Sequence, residues 1–440
     1  MHRTAILVLL LFFFRNPASS QEEFHFPPGE ERDRISFELI NNLIIIPVEL
    51  NGLQLSFLLD TGVDTTVLFS INEDDTLDLS NAERIMLRGI GGDDYVEALR
   101  SEGNQMKIGK AVSNDLDLYM ILDQSINFSP RLGFPVHGIV GSDLFQDFVV
   151  EINYKRRFIR LYEKEAEIKK LSRYDPVPLV FFKNKPYLNA QVEMEGKLIH
   201  GTFLIDSGLA DALWLFENEA GIAIPERSYE DFLGLGLAGD INGSRSRIAA
   251  LKIADQELKQ VNASFPDTSA FGGLKFFIGR NGSIGAEILR RFHIIFDYQE
   301  RKMFLRKNSD FKDRFLVNMA GITVEHAGFI VLENYAKAPS FTEEEPWEGK
   351  EVISSKPKMT RTFSLKPEFR IARIRKDSPA ALAGLQVGDV LVSLNDKKAY
   401  RLDMENIAGL FSSEEGKRIE MRVRRNGEEM NFAFYLENVL

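Results

Sequence analysis

The stretch Leu55-Ser56-Phe57-Leu58-Leu59-Asp60-Thr61-Gly62 recurs later in the chain as Thr202-Phe203-Leu204-Ile205-Asp206-Ser207-Gly208. In each copy an apolar run typical of a buried strand ends in Asp, a hydroxyl residue and Gly, and a turn with Gly precedes the run. One such tripeptide is usually an ordinary turn or helix cap. Its recurrence at the same place in a longer repeat makes chance a poor explanation.

A second motif repeats together with the first. Ile139-Val140-Gly141 corresponds to Ser283-Ile284-Gly285, and each motif leads to a Tyr and a further apolar strand. The two copies are offset by 144 residues at this glycine and by 146 at the Asp. We therefore expect two homologous lobes, at 36–165 and 166–312, each about the size of a small domain.

Short β-branched and aromatic runs dominate both lobes, and Gly, Asn and Asp interrupt them. This pattern predicts mainly β lobes, with a short helix after the second glycine motif. The predicted buried strands are Leu43–Ile46, Phe57–Leu59, Val149–Ile152, Phe203–Ile205 and Ile294–Phe296.

The C-terminal region, 313–440, has a different character. Its segment at about 338–361 contains three prolines and no sustained apolar period, which predicts a mobile insertion or linker. After it, Ser378-Pro379-Ala380, Ala383-Gly384-Leu385 and Gly388-Asp389-Val390 resemble the bacterial type of PDZ domain. That resemblance implies an α+β domain with a groove for an extended peptide or C-terminal tail, between a strand at Phe369–Ile374 and a helix around Met404–Phe411.

The repeated Asp motifs resemble those of aspartic proteases, specifically the retropepsin-like lobe, here duplicated over about Ile35–Arg306 as a pepsin-like pseudo-dimer. The resemblance implies that Asp60 and Asp206 form the catalytic pair. It implies supporting roles for the residues that follow them and for the second glycine motifs, namely Thr61, Gly62, Ser207, Gly208, Gly141 and Gly285. Asp64 matches an acidic residue of the family that contacts substrate, whereas Ala210 stands at that place in the second copy.

Paired carboxylates suit peptide hydrolysis on chemical grounds as well. Two carboxyl groups about 3 Å apart cannot both ionise easily, so the pair holds one shared proton. The ionised member can take a proton from water while the protonated member polarises the scissile carbonyl. We assign these roles to the pair rather than to either Asp.

Flaps that close over a substrate are expected between the Asp and the second glycine motif of each copy. The residues that occupy this place are Gly89, Ile90, Gly91 and Gly92 in the first copy, and Gly236, Leu237 and Ala238 in the second. Glycine-rich hairpin tips provide the mobility that a lid requires. Plain β-turns are an equally good interpretation of these glycines.

The composition argues against other classes of function. The formal net charge is -11, which disfavours a nucleic-acid partner because phosphate binding needs excess Lys and Arg. With no Cys there is no thiol nucleophile or thiolate metal site, and the six His residues are scattered. We expect neither a metal nor another cofactor.

Residues 1–20 have the pattern of a secretory signal peptide, with His2 and Arg3 before an apolar run and small residues up to Ser20. The apolar run is too short to span a bilayer. Cleavage after Ser20 would remove it and leave no transmembrane segment. We therefore expect a secreted or periplasmic protein.

The sequence as a whole predicts a secreted or periplasmic aspartic endopeptidase that acts on polypeptide substrates. Its PDZ domain would recruit substrate or partner peptides. One alternative is a catalytically inactive pseudo-protease that only binds peptides. A second alternative is a latent enzyme, in which Gln21–Arg34 or the 338–361 segment covers the cleft.

Overall fold

The computed structural model describes residues 23–440, except 72–75, 80, 93–94, 124–125, 219–220, 272–276, 278 and 348–349, and only the backbone of 334–360. The predicted signal peptide therefore lies outside the described residues. Among the helices of the described part, none is long and apolar enough to cross a membrane.

The N-terminal lobe combines short strands with two helices of about one turn. Its elements are β1 (Arg32–Ser36), β2 (Glu38–Ile40), β3 (Leu43–Leu50), β4 (Leu53–Leu59), β5 (Thr66–Leu68), β6 (Glu83–Arg88), β7 (Tyr95–Ile108), β8 (Ala111–Ile121), α1 (Ser129–Leu132), β9 (Gly138–Val140), α2 (Asp143–Asp147), β10 (Val149–Asn153) and β11 (Phe158–Tyr162).

The C-terminal lobe repeats this series. Its elements are β12 (Asp175–Pro178), β13 (Val180–Phe182), β14 (Lys185–Met194), β15 (Lys197–Asp206), β16 (Leu213–Leu215), β17 (Tyr229–Gly236), β18 (Gly239–Ile253), β19 (Gln256–Pro266), β20 (Arg280–Gly285), α3 (Ala286–Leu289), β21 (Phe292–Asp297) and β22 (Lys302–Lys307). The short helices α2 and α3 follow the second glycine motifs, as expected.

Each lobe contains an eight-stranded sheet, and the two sheets correspond strand for strand. The order is β2-β3-β4-β9-β5-β8-β7-β6 in one and β13-β14-β15-β20-β16-β19-β18-β17 in the other. In β4 the alternate residues Leu55, Phe57 and Leu59 are buried, because one face of the strand packs into the core. This packing fixes the end of the strand, where Asp60 follows.

A third sheet joins the lobes about a pseudo-twofold axis. Its order is β1-β11-β10-β21-β22-β12, with β10 and β21 at the centre. Val150 pairs with Phe296 and Ile152 pairs with Ile294. At the 144-residue offset, Ile152 corresponds to Phe296 and Val150 to Ile294, so the register is symmetric. The fold is thus mainly β and forms the expected pseudo-dimer.

Residues 23–34 belong to the N-terminal lobe, upstream of the predicted start at 36. Phe24 and Phe26 are buried in the main core, and the Phe26 ring lies 4.6 Å from that of Phe148. Strand β1 then pairs with β11 in the joining sheet. The described part of Gln21–Arg34 is therefore a structural strap and does not cover the cleft. Its apolar side chains Phe24 and Phe26 hold it in the core of the lobe.

The C-terminal domain forms a separate core and a separate sheet. Its elements are β23 (Ile322–Trp347), β24 (Lys350–Ile374), α4 (Pro379–Leu382), β25 (Val390–Leu394), β26 (Lys397–Lys398), α5 (Met404–Phe411), β27 (Arg418–Arg425) and β28 (Glu428–Tyr435). Ser378 caps α4 through a hydrogen bond from the Ala381 N–H, and Pro379 opens the helix.

The predicted linker at 338–361 lies instead in a long two-stranded ribbon formed by β23 and β24. Its prolines are compatible with pairing, because each strand of a two-stranded ribbon has an open edge where a missing N–H is tolerated. Pro339 and Pro357 are register partners in this ribbon.

The structure also corrects the predicted peptide groove. Phe369–Ile374 is not an edge strand: β24 pairs with β23 on one side, and Arg370 pairs with Val390 of β25 on the other. The edge strand is β23, which contacts α5. The Met319 N–H, just before β23, donates to the Phe411 carbonyl at 2.9 Å. The expected groove would therefore lie between β23 and α5.

Candidate active site

Parallel strand pairs bring the two Asp motifs to equivalent positions. Strand β4 pairs with β9, and the Asp60 N–H donates to the Val140 carbonyl at 3.0 Å. Strand β15 pairs with β20, and Asp206 lies opposite Gly285. Gly141 and Gly285 let the chain just before β5 and β16 pack closely against them. A Cβ at Gly141 would lie 2.6 Å from the Thr65 carbonyl oxygen, and one at Gly285 would lie 2.1 Å from the Asp211 carbonyl oxygen.

Hydroxyl groups lock the two motifs to each other across the lobe interface. Thr61 Oγ1 donates to the Ile205 carbonyl at 2.7 Å and accepts the Ser207 N–H at 3.0 Å. Ser207 Oγ donates to the Leu59 carbonyl at 2.8 Å and accepts the Thr61 N–H at 3.0 Å. Both hydroxyl residues are fully buried. The reciprocal pattern fixes the separation of the adjacent carboxyl groups.

The glycines of the motifs lie directly against the opposite carboxyl groups. A Cβ at Gly62 would lie 2.8 Å from Cγ of Asp206, and a Cβ at Gly208 would lie 2.1 Å from Oδ2 of Asp60. Both distances are too short for any side chain. Gly62 also donates its N–H to Oδ1 of Asp60 at 2.7 Å.

Asp60 and Asp206 form a pair of interacting carboxyl groups within hydrogen-bonding reach of each other. Burial, followed by the charge of Asp206, raises the pKa of Asp60 to about 8. Burial also raises the pKa of Asp206, but the positive charges of Arg280 and Lys185 oppose this rise. The environment therefore favours a dyad that carries one proton at neutral pH.

Two cations that lie beside the dyad, Arg280 and Lys185, were not among the predicted site residues. Arg280 begins β20 and Lys185 begins β14, so both come from the C-terminal lobe. Arg280 lies on the Phe216 ring at 5.0 Å and donates from Nε to the Gly282 carbonyl at 3.2 Å. Alignment of the two copies could have drawn attention to Arg280, because the equivalent position in the first copy is the apolar residue Val136.

The two predicted flap tips contact each other. The Ala238 N–H donates to the Ile90 carbonyl at 3.0 Å, and the Gly91 N–H donates to the Ala270 carbonyl at 2.7 Å. Ile90 of the first lobe packs beside an apolar cluster of the second, whereas Leu237 packs beside a cluster of the first. Isolated β-turns would not make this reciprocal exchange, so the contacts favour the flap interpretation.

Close approach explains the glycines at these tips. A Cβ at Gly89 would lie 2.3 Å from Cβ of Leu237, and one at Gly236 would lie 1.9 Å from the Ile90 carbonyl oxygen. Gly91 has a φ of 119° and packs on Gly239, and Gly92 lies beside Ala238.

Asp64 occupies an exposed position in the first lobe. It lies close enough to influence the pKa of Tyr187, which also senses the charge of Asp206. It therefore lies toward the dyad but outside the carboxyl pair. Ala210, its counterpart, packs among apolar residues of the first lobe.

Comparison with known families agrees with this architecture. Residues 46–144 match the family model described as aspartyl protease, and residues 370–425 match a PDZ domain model. The chain contains a retropepsin-like aspartyl protease domain and a PDZ domain. The aspartyl protease match falls within the N-terminal lobe, and the equivalent sheet and Asp motif relate the second lobe to it. No curated protein matched the chain.

Proposed function

We propose that this protein is an aspartic-type endopeptidase that hydrolyses polypeptides between its two lobes. The observation that carries the proposal is the Asp60–Asp206 pair, in which Asp60 is buried and Asp206 is partly buried. The two carboxyl groups interact with each other and are held by the reciprocal Thr61 and Ser207 hydrogen bonds. The aspartyl protease match supports the same assignment.

In this mechanism the dyad begins with one proton and one negative charge. The ionised carboxyl takes a proton from a water molecule as the water oxygen bonds to the scissile carbonyl carbon. The protonated carboxyl donates its proton to the carbonyl oxygen, giving a neutral tetrahedral diol. The proton taken from water then passes to the amide nitrogen, one hydroxyl of the diol returns its proton to the other carboxyl group, and the C–N bond breaks. An acid and an amine leave, and the dyad again carries one proton.

The surroundings suggest which carboxyl is ionised. Arg280 and Lys185 favour negative charge on Asp206, whereas Asp60 has its pKa raised to about 8. We therefore infer that Asp60 holds the proton for most of the time, although the titration belongs to the coupled pair.

Substitution of each carboxyl tests the proposal. Asp60→Asn and Asp206→Asn should each reduce cleavage of a peptide library by about 10³-fold or more, because neither variant can both accept and donate the required protons. Asp255→Asn, at an exposed residue of the second lobe, is the matched control and should retain activity. Retention of cleavage by both dyad variants would contradict the mechanism. Equal peptide binding by all proteins without cleavage would instead indicate a peptide-binding pseudo-protease.

We further propose that the PDZ domain recruits polypeptides by strand addition at β23. Support comes from the family match and from the edge position of β23 beside α5. Export through the N-terminal signal is a proposal that rests on the sequence pattern. Sequencing of the secreted or periplasmic protein should find Gln21 at the N-terminus, and an intact Met1 in that fraction would contradict it.

A further inference from the structure

The PDZ domain contacts the flap hairpin β17–β18 of the second lobe directly. Arg373 of β24 pairs with Asp240 of β18, and its Cζ lies 4.0 Å from the centroid of the Phe232 ring. Arg375, two residues further on, lies over the Tyr229 ring at 4.5 Å. The contacts therefore reach both strands of the hairpin.

The first lobe contacts the hairpin at the same place. Arg131 of α1 has Nη2 3.7 Å from Oδ1 of Asp240, and its Cζ lies 5.2 Å from the Phe232 ring centroid. Arg131, Phe232, Asp240 and Arg373 thus form one cluster, here called the flap clamp. Arg131 belongs to the first lobe and Arg373 to the PDZ domain. Phe232 and Asp240 belong to the hairpin of the second lobe.

The segment that carries Arg131 also touches the PDZ groove. Helix α1 contacts β23, and a Cβ at Gly133 would lie 2.8 Å from Cγ of Met404, the first residue of α5. The other end of the groove lies at Met319 and Phe411. The first lobe therefore closes one end of the groove between β23 and α5.

The same hairpin must move if the cleft is to admit a polypeptide. Its tip is joined to the opposite flap by the Ala238–Ile90 hydrogen bond, and its strands are held by the flap clamp. Opening the tip alone would still leave the strands fixed to the PDZ domain. The contacts of the flap clamp must therefore break before the whole hairpin can open.

We propose that the PDZ domain restrains the second flap through the flap clamp and so limits access to the dyad. The regulatory part of this proposal rests on the proposed peptidase function. Displacement of the PDZ domain, or of α1 from the end of its groove, would release Arg373 and Arg131 and free the hairpin.

Asp240 is central to the clamp because it lies between two guanidinium groups of like charge. The side chains of Arg131, Asp240 and Arg373 are 31%, 39% and 33% exposed, so their attraction is open to screening by salt. Removing the charge of Asp240 leaves two cations on one aromatic ring, which should loosen the hairpin more than loss of either Arg.

Hydrogen exchange of the full chain, followed by mass spectrometry, tests the restraint without requiring catalysis. In Arg373→Ala, amides of 229–247 should exchange about tenfold faster than in the wild type, because an ion pair and a cation–π contact are lost. Asp240→Asn removes the ion pairs with both Arg131 and Arg373 and should accelerate exchange further. Arg370→Ala is the matched control. Arg370 lies on the same strand and pairs with Glu325 within the PDZ domain, so exchange of the hairpin should not change.

Turnover of a short peptide is measured on the same proteins, and kcat/KM should rise several-fold in the two clamp variants but not in Arg370→Ala. Unchanged exchange at 229–247 would overturn the clamp whatever the activity. Faster exchange with unchanged or lower kcat/KM would overturn its inhibitory role. Faster exchange in a protein that never cleaves would leave the clamp in place and contradict the proposed peptidase function.

Discussion

The two lobes share the same backbone fold but differ in the charged residues that they place beside the dyad. Their sheets correspond strand for strand, and Thr61 and Ser207 make equivalent hydrogen bonds across the interface. The cations beside the dyad, Lys185 and Arg280, both come from the second lobe. Residues inside the motifs therefore set the symmetric geometry, whereas residues outside them make the two carboxyl groups chemically different.

A second difference lies at equivalent ends of α2 and α3. Asp147 accepts the Phe24 N–H at 2.8 Å, which ties the chain that enters the first lobe. Arg291, 144 residues later, donates to the Asp310 and Asp313 carbonyls, which ties the chain that leaves the second lobe. The segment before the first lobe presents an N–H group, which needs an acceptor, and the segment after the second lobe presents carbonyl groups, which need a donor. An acidic and a basic side chain thus perform the same anchoring at one position of the repeat.

The largest effect on stability should come from the symmetric hydroxyl pair. Ser207→Ala and Thr61→Val should each lower the free energy of unfolding by about 2–4 kcal/mol, because each leaves buried backbone groups without partners. Equal losses would support equal contributions from the two lobes. Urea unfolding measures this, followed by fluorescence of the buried Trp214 in a Trp347→Phe background.

Thr202→Val provides the control for these two variants. It removes a hydroxyl from the strand that carries Asp206, but that hydroxyl makes an exposed hydrogen bond to Asn189. A loss below about 0.5 kcal/mol is expected there. A comparable loss in all three variants would mean that the lobe interface has no special role.

The anchoring residues should differ in effect although their positions correspond. Arg291 is fully buried, and Arg291→Met removes donors to three carbonyls, so we expect a loss of about 3 kcal/mol. Asp147→Asn keeps an oxygen that can accept the Phe24 N–H, so about 0.5–1 kcal/mol is expected at pH 4. The Trp214 unfolding assay measures both.

The pH dependence separates these two anchors further. Burial raises the pKa of Asp147 to about 6, so the native state binds more protons than the unfolded state between about pH 4 and 6. Its contribution to stability is therefore present at low pH and is lost as the pH rises to about 6. Asp147→Asn should remove this part of the decline, whereas Arg291→Met should retain it. An identical slope in wild type and Asp147→Asn would contradict the assigned pKa.

Motifs and periodicity predicted the β lobes, the two Asp positions and the short helices after the second glycine motifs. They failed for the peptide groove, because Ile322–His326 and Phe369–Ile374 both alternate apolar residues and only strand order makes one of them an edge. They also failed for the ribbon at 338–361, because its strands pair through the backbone, which requires no apolar periodicity and tolerates prolines at open edges. The positions of Arg280 and Lys185 beside Asp206 were not predicted, because residues distant in the sequence come together there only when the chain folds.

The pH profile of kcat/KM tests whether the cations of the second lobe make the two carboxyl groups of the dyad different, and the expected shifts are the smallest of the effects considered. Arg280 lowers the pKa of Asp206, whereas Lys185 lowers that of both carboxyls. Arg280→Met should raise the pKa of the ionised member and move the acid limb of the profile to higher pH, with a smaller effect on the alkaline limb. Lys185→Met should move both limbs upward. Arg280→Lys retains the charge and should restore the acid limb, whereas a merely structural role would leave both Arg280 variants with unshifted limbs and reduced amplitude.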